Sequence, residues 1–282
     1  RSRIFVLSGL GTLGFVALAA VGVLSSGFAG RYPDQQDREL ATLEMRTAGA
    51  YVARRFDALQ GQNFSTQDPR RKILLIGDSF AKDLLNAMAE SPMDRRFQFS
   101  TRHIVHMCGN LFMPRAEFEV HLRSAPPGLC ASNALFEDAA LRARMQEADE
   151  IWFASAWQPW QAPLVADSLR RTKEFAGKPV KVFNRKNFGT YRIREILAVP
   201  ATQRLTLTRP VLNEVLVANE LLQRSVPKNQ LVDVQGMLCG ADPTQCRLMT
   251  PGGALISHDG GHLTVHGAKW LGQRMSAEET FR

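Results

Sequence analysis

"KILLIGDSFAKDLLNAMAE", Lys72 to Glu90, decides the fold. The aliphatic run Ile73–Ile76 stops at Gly77, Asp78 and Ser79, and the spacing of apolar residues then becomes that of an amphipathic helix. A short run apolar on both faces, followed at once by a helix, is how a parallel βα unit begins. Ser79 stands where the strand stops and the helix starts. A hydroxyl there can serve as a nucleophile, cap the helix or contact a phosphate.

The same alternation continues along the chain. "FQFSTRHIV" (97–105), "EIWFASA" (150–156), "KPVKVFN" (178–184) and "QLVDVQG" (230–236) read as further strands. Helical spacing covers Phe80–Glu90, 133–148, Leu164–Phe175, Val211–Leu222 and 265–279. Strands alternating with helices predict an α/β domain with a central parallel sheet covered on both faces. In such sheets ligands bind outside the carboxyl ends of the strands, where Ser79 lies.

Upstream, Ile4 to Ala29 carries no charge and follows Arg1 and Arg3. A run of that length spans a hydrocarbon core of ~30 Å, and the preceding arginines favour a cytoplasmic start. The expectation is a transmembrane helix over residues 1–30, with a secretory signal peptide as the rival reading. On either reading the chain after Gly30 is exported. Residues 31–71 read as a polar, partly helical linker, and 72–282 as the globular domain.

The chain has 282 residues, 45% of them hydrophobic, with a formal net charge of +8. A basic balance suits anionic partners, but the arginines are scattered. No basic stripe interleaved with aromatics and no zinc-finger spacing occurs, which argues against nucleic acid. The four cysteines, Cys108, Cys130, Cys239 and Cys246, are even in number in a chain read as exported. That favours disulfides, and short loops favour the pairs Cys108–Cys130 and Cys239–Cys246. Zinc is the alternative, against which the absence of CxxC spacing counts.

A second stretch bears on Ser79. "SHDGGHLTVHGA" runs from Ser257 to Ala268, just before the last helix. Asp259 and His262 stand three apart in a glycine-containing turn, so one loop can carry a base and the carboxylate that orients it. A capping turn is the plainer reading of the pair, and His258 and His266 are further candidate bases. The G-x-S-x-G elbow of α/β-hydrolases is absent, because Ala81 occupies its last position. A P-loop is absent too.

"IGDSFA" together with "DGGHLT" resembles the SGNH (GDSL-like) hydrolase superfamily. More narrowly, Lys72–Met275 is similar to the exported SGNH domain fused to acyltransferase family 3 membrane proteins, which O-acetylate bacterial surface polysaccharides such as lipopolysaccharide O-antigen. The resemblance implies a flavodoxin-like three-layer α/β/α fold, with Ser79 as nucleophile, His262 as base and Asp259 as its orienting acid. It implies an oxyanion hole built from the Ser79 N–H, Gly109 of the second block "CGN" with Asn110 beside it, and an Asn of a third block. That third block departs here: "SAWQPW" places Trp157, then Gln158, where the Asn belongs. Asn110 or Gln158 is the expected substitute, and Trp157 and Trp160 either stack on a sugar or pack in the core. No cofactor or metal of its own is implied. The acetyl group would come from a donor such as acetyl-CoA by way of the membrane domain, with the SGNH domain in the periplasm at the inner membrane. A carbohydrate acetylesterase and a non-catalytic glycan-binding module are the alternatives.

Overall fold

The computed structural model describes residues 2–25, 34–45, 49–122, 125–126, 128–130, 135–240 and 242–281. Seven strands occur among them: β1 (Arg71–Gly77), β2 (Phe97–His103), β3 (Glu150–Ala154), β4 (Val180–Phe183), β5 (Thr208–Pro210), β6 (Leu231–Val232) and β7 (Gln245–Arg247). Five of them form one sheet in the order β2-β1-β3-β4-β6, with every neighbouring pair parallel. This is the doubly wound order, in which the chain turns from one side of the sheet to the other between β1 and β3. Ser79 directly follows β1, so it lies at that switch point.

The alternation of side chains along β1 divides the core. Ile73 and Leu75 pack with Leu84, Leu85 and Met88 of the helix Ser79–Ala89 and with Leu271 and Met275 of the last helix, Val265–Ala277. Leu74 and Ile76 face the other way, against Leu141 and Met145 of the helix Ala139–Glu147 and Val165 and Leu169 of the helix Ala162–Ala176. Successive residues of a strand point to opposite faces, so one aliphatic run serves both layers. Gly77 is forced by packing: a Cβ there would run into the carbonyl of Ala154 on β3.

The five strands read from the sequence are all present. "QLVDVQG" is a strand only over Leu231–Val232. Asp233 then caps a helix, Val234–Cys239, by accepting from the Gly236 N–H at 2.8 Å. An Asp that can bond the backbone three residues on ends the strand early. The antiparallel pair β5–β7 was not foreseen; it is three residues long on each side and carries no alternation to read.

Residues 31–71, read as a linker, supply core as well. Val52 and Phe56 of the helix Gly49–Ala58 are buried, as is Phe64. Residues 31–33 and 46–48 of that segment lie outside the described residues. The transmembrane helix expected over residues 1–30 lies partly outside the described residues. The N-terminal helix, Ser2–Leu24, stops short of Ala29, residues 26–29 lie outside the described residues, and among the described residues no helix is long and apolar enough to cross a membrane.

Both expected disulfides are formed, Cys108–Cys130 across 22 residues and Cys239–Cys246 across 7. In the chain-entropy account closing such loops stabilises by about 3 and about 2 kcal/mol. Replacing both cysteines of the longer loop by Ser should therefore lower unfolding free energy more than replacing those of the shorter one, as read by denaturant titration. Equal stability of wild type and both variants would contradict this.

Candidate active site at the switch point

β1 ends at Gly77, and the next residue closes the first turn of the following helix. Asp78 Oδ1 accepts from the Phe80 N–H at 2.9 Å, and Oδ2 accepts from the Ala156 N–H at 2.8 Å. One carboxylate thus caps the Ser79 helix and ties it to the loop after β3. Burial pushes the Asp78 carboxyl up, against the pull of these two N–H donors. The cap therefore belongs to Asp78. The hydroxyl of Ser79 is half-buried and takes part in no hydrogen bond among the described residues. It stands on the first turn of a helix, where unpaired N–H groups and the positive end of the helix dipole lie together.

The second stretch is a closed turn organised by one carboxylate. Asp259 Oδ1 accepts from the N–H groups of Gly261 and His262 at 2.8 and 2.7 Å. Its Oδ2 lies 2.6 Å from His262 Nδ1. Gly260 supplies the left-handed backbone the turn requires, at φ 86°. The turn is held from outside as well. Phe188 N–H and Asn187 Nδ2 donate to the Gly260 carbonyl at 2.8 and 3.1 Å, and the Tyr191 hydroxyl donates to the Ser257 carbonyl at 2.6 Å. All three come from the loop after β4. The His262 ring faces Phe80, the neighbour of Ser79, with centroids 6.2 Å apart.

Electrostatics follow this geometry. The hydrogen bond to Asp259 raises the His262 pKa, while burial and the Lys186 charge hold it back. Burial raises the Asp259 carboxyl, but its bonds to His262 and Gly261 outweigh that and hold it well below the usual carboxylate range. Burial lowers the pKa of His258, whose Nδ1 is enclosed without a partner among the described residues. His258 Nε2 is 3.5 Å from Asp259 Oδ2, a longer approach than that of His262. His266 is exposed on the first turn of the last helix. His258, Asp259 and His262 each offer a ligand atom within 4.8 Å of the others, but the Asp259–His262 bond already occupies Nδ1.

The remaining candidates are placed differently from what their positions in the sequence suggest. Gly109, at φ 74°, turns its N–H toward the His106 carbonyl at 3.4 Å. Asn110 is buried and spends its amide hydrogens on the Ile76 carbonyl and Ser155 Oγ, both at 3.0 Å. Trp157 is fully buried, and its indole N–H donates to the Phe183 carbonyl at 2.8 Å. It packs in the core and offers no face to a sugar. Gln158 is half-buried with Nε2 on the Ala156 carbonyl at 3.0 Å, which leaves one amide hydrogen over among the described residues. Trp160, half-buried, is stacked on His121 at 4.5 Å. Asp83, Lys186, Asn187 and Tyr191 were not foreseen. The one signal was the polar run "NRKNFGTY" at the carboxyl end of β4.

The two shifted groups make opposite demands on pH. Asp259, with a lowered folded value, contributes stability above the unfolded carboxylate range, lost as pH falls. His262, with a raised folded value, contributes stability below about 6.5, the ordinary histidine value, lost as pH rises through its folded value. The turn is held best between the two. By NMR the His262 ring should titrate above an ordinary histidine, and Asp259→Asn should bring it below one, because burial and Lys186 remain. An unchanged titration in that variant would contradict the assignment.

No curated protein matches the chain. The family model described as "SGNH domain (fused to AT3 domains)" matches residues 48–277. The match begins before β1 and so includes the helix that buries Val52 and Phe56. By this match the chain belongs to the family of SGNH domains fused to AT3 domains, enzymes of serine hydrolase and acyltransferase type.

Proposed function

We propose that the chain is an O-acyltransferase that places acetyl groups on hydroxyls of a bacterial surface polysaccharide, such as lipopolysaccharide O-antigen, through an acyl-serine intermediate. The observation that carries the reading is the uncapped hydroxyl of Ser79 at the switch point, with an Asp259–His262 pair on the loop before the last helix. Asp259 occupies Nδ1 of His262, which leaves Nε2 to exchange protons.

In the first half-reaction Ser79 Oγ attacks the carbonyl carbon of an acetyl donor while His262 Nε2 takes the hydroxyl proton. The carbonyl oxygen gains charge beside the Ser79 N–H and the positive end of its helix. The tetrahedral species collapses, the C–O or C–S bond to the donor breaks, and His262 returns the proton to the leaving group. In the second half-reaction a sugar hydroxyl gives its proton to His262 and attacks the acyl-serine. The ester bond to Ser79 breaks, and Oγ recovers the proton. Asp259 holds the imidazole tautomer and stabilises the imidazolium in both halves. Water in place of the sugar gives the esterase outcome.

The donor in this reading is an associated AT3 membrane domain, which draws ultimately on a carrier such as acetyl-CoA. The chain itself needs no cofactor. Two disulfides fit a location outside the reducing cytoplasm, the periplasm in this reading. Cells producing the full parent protein with Ser79→Ala should lose O-acetylation of surface glycan, read by mass spectrometry, while the protein is still made and folded. Glycan acetylated as in wild-type cells would overturn the proposal.

A further inference from the structure

The loop after β4 places a lysine where little water reaches it. Lys186 is 3% exposed and its partner Asp83 is fully buried, with Nζ 2.7 Å from Asp83 Oδ2. Nζ also donates to the Gly261 carbonyl at 2.7 Å. Asp83 Oδ2 in turn accepts from the Leu263 N–H at 3.1 Å. Gly261 and Leu263 are the two neighbours of His262 in the chain. The ion pair therefore grips the peptide groups on both sides of the histidine.

The other end of the pair is fixed to the nucleophile's element. Asp83 lies four residues after Ser79 on the same helix, one turn on and on the same face. Lys186 Nζ sits 3.8 Å from the centroid of the Phe80 ring. Fold stability alone is a weak reason to bury such a pair, since apolar residues of similar size often serve as well or better. Asp83 Oδ1 is left without a partner among the described residues, a further cost. What the pair does supply is a rigid link between the helix of Ser79 and the loop of His262.

We infer that Asp83 and Lys186 are positioning residues: by holding Gly261 and Leu263 they set where the His262 imidazole stands relative to Ser79. This rests on the reading that Ser79 and His262 act as nucleophile and base. The charged and titratable groups facing His262 are Asp259 and His258 on its own loop, Asp83 on the Ser79 helix and Lys186 on the loop after β4. Lys186 lowers the histidine's pKa and Asp83 raises it, so removing the cation alone unbalances the site.

The test compares wild type, Ser79→Ala, Lys186→Met and the double variant Asp83→Asn, Lys186→Met, with turnover of an activated acetyl ester measured across pH. Lys186→Met should lower kcat by about 10–100-fold with little change in KM, the scale expected for a misplaced catalytic group. Its pH–rate midpoint should rise, because the Lys186 charge that holds the His262 pKa down is gone. The double variant leaves no unpaired buried charge. It should fold, keep the reduced kcat and bring the midpoint back toward that of wild type. Folded variants with wild-type kcat and midpoint, beside an inactive Ser79→Ala, would overturn the positioning role alone. Wild-type turnover in Ser79→Ala would overturn the catalytic reading and this inference with it. Loss of the fold in both lysine variants would mark the pair as structural and also overturn the assignment.

Discussion

The carboxylate of Asp78 decides what Ser79 is free to do. Helix starts need an acceptor for their unpaired N–H groups, and a serine at such a place is commonly used for that purpose. Here Asp78 takes the task and reaches the Ala156 N–H with its other oxygen. β1 and the loop after β3 are thereby joined at the point where the sheet changes direction. Gly77 lets the backbone pass close under Ala154. The serine is then held by the backbone on either side while its hydroxyl stays unengaged among the described residues.

The rest of the site is a polar loop kept in place by bonds that reach it from several elements. Ser257 to Leu263 form no regular helix or sheet ladder, so their N–H and carbonyl groups need other partners. Asp259 serves the inside of the turn, and Asn187, Phe188 and Tyr191 serve the outside from the loop after β4. Asp83 reaches it from the Ser79 helix. A loop fixed this way presents the His262 ring in one orientation, with its Nδ1 in a short, charge-assisted bond to Asp259.

Much of this was legible in the sequence because the signals were local. β1 and β3 are buried on both faces along most of their length, so their apolar runs stand out without alternation. The spacing of Asp259 and His262 within one turn could be read directly, and the short cysteine loops were read with their pairing. What could not be read depends on contacts between distant segments. Asp83 carries no local mark of its role, because the Leu263 N–H that it accepts from lies 180 residues away. Trp157, at the position where the resemblance expects an Asn, could be read as stacking on a sugar or as packing in the core; its indole N–H finds the Phe183 carbonyl and the ring is buried. Asn110 looked like a free donor, but the Ile76 carbonyl and Ser155 take its amide hydrogens. "QLVDVQG" alternates like a strand, but the Asp233 side chain diverts its second half into a helix.

The account turns on whether Ser79 itself carries an acyl group. The purified chain, treated with an activated acetyl ester, acid-quenched and digested, gives a direct answer by peptide mass spectrometry. The account predicts one acetyl ester, on the peptide containing Ser79, accumulating in wild type when no acceptor is present and discharged when a sugar hydroxyl is supplied. Ester turnover with the acetyl group on another residue, or undiminished turnover in a chain that lacks the Ser79 hydroxyl, would contradict it.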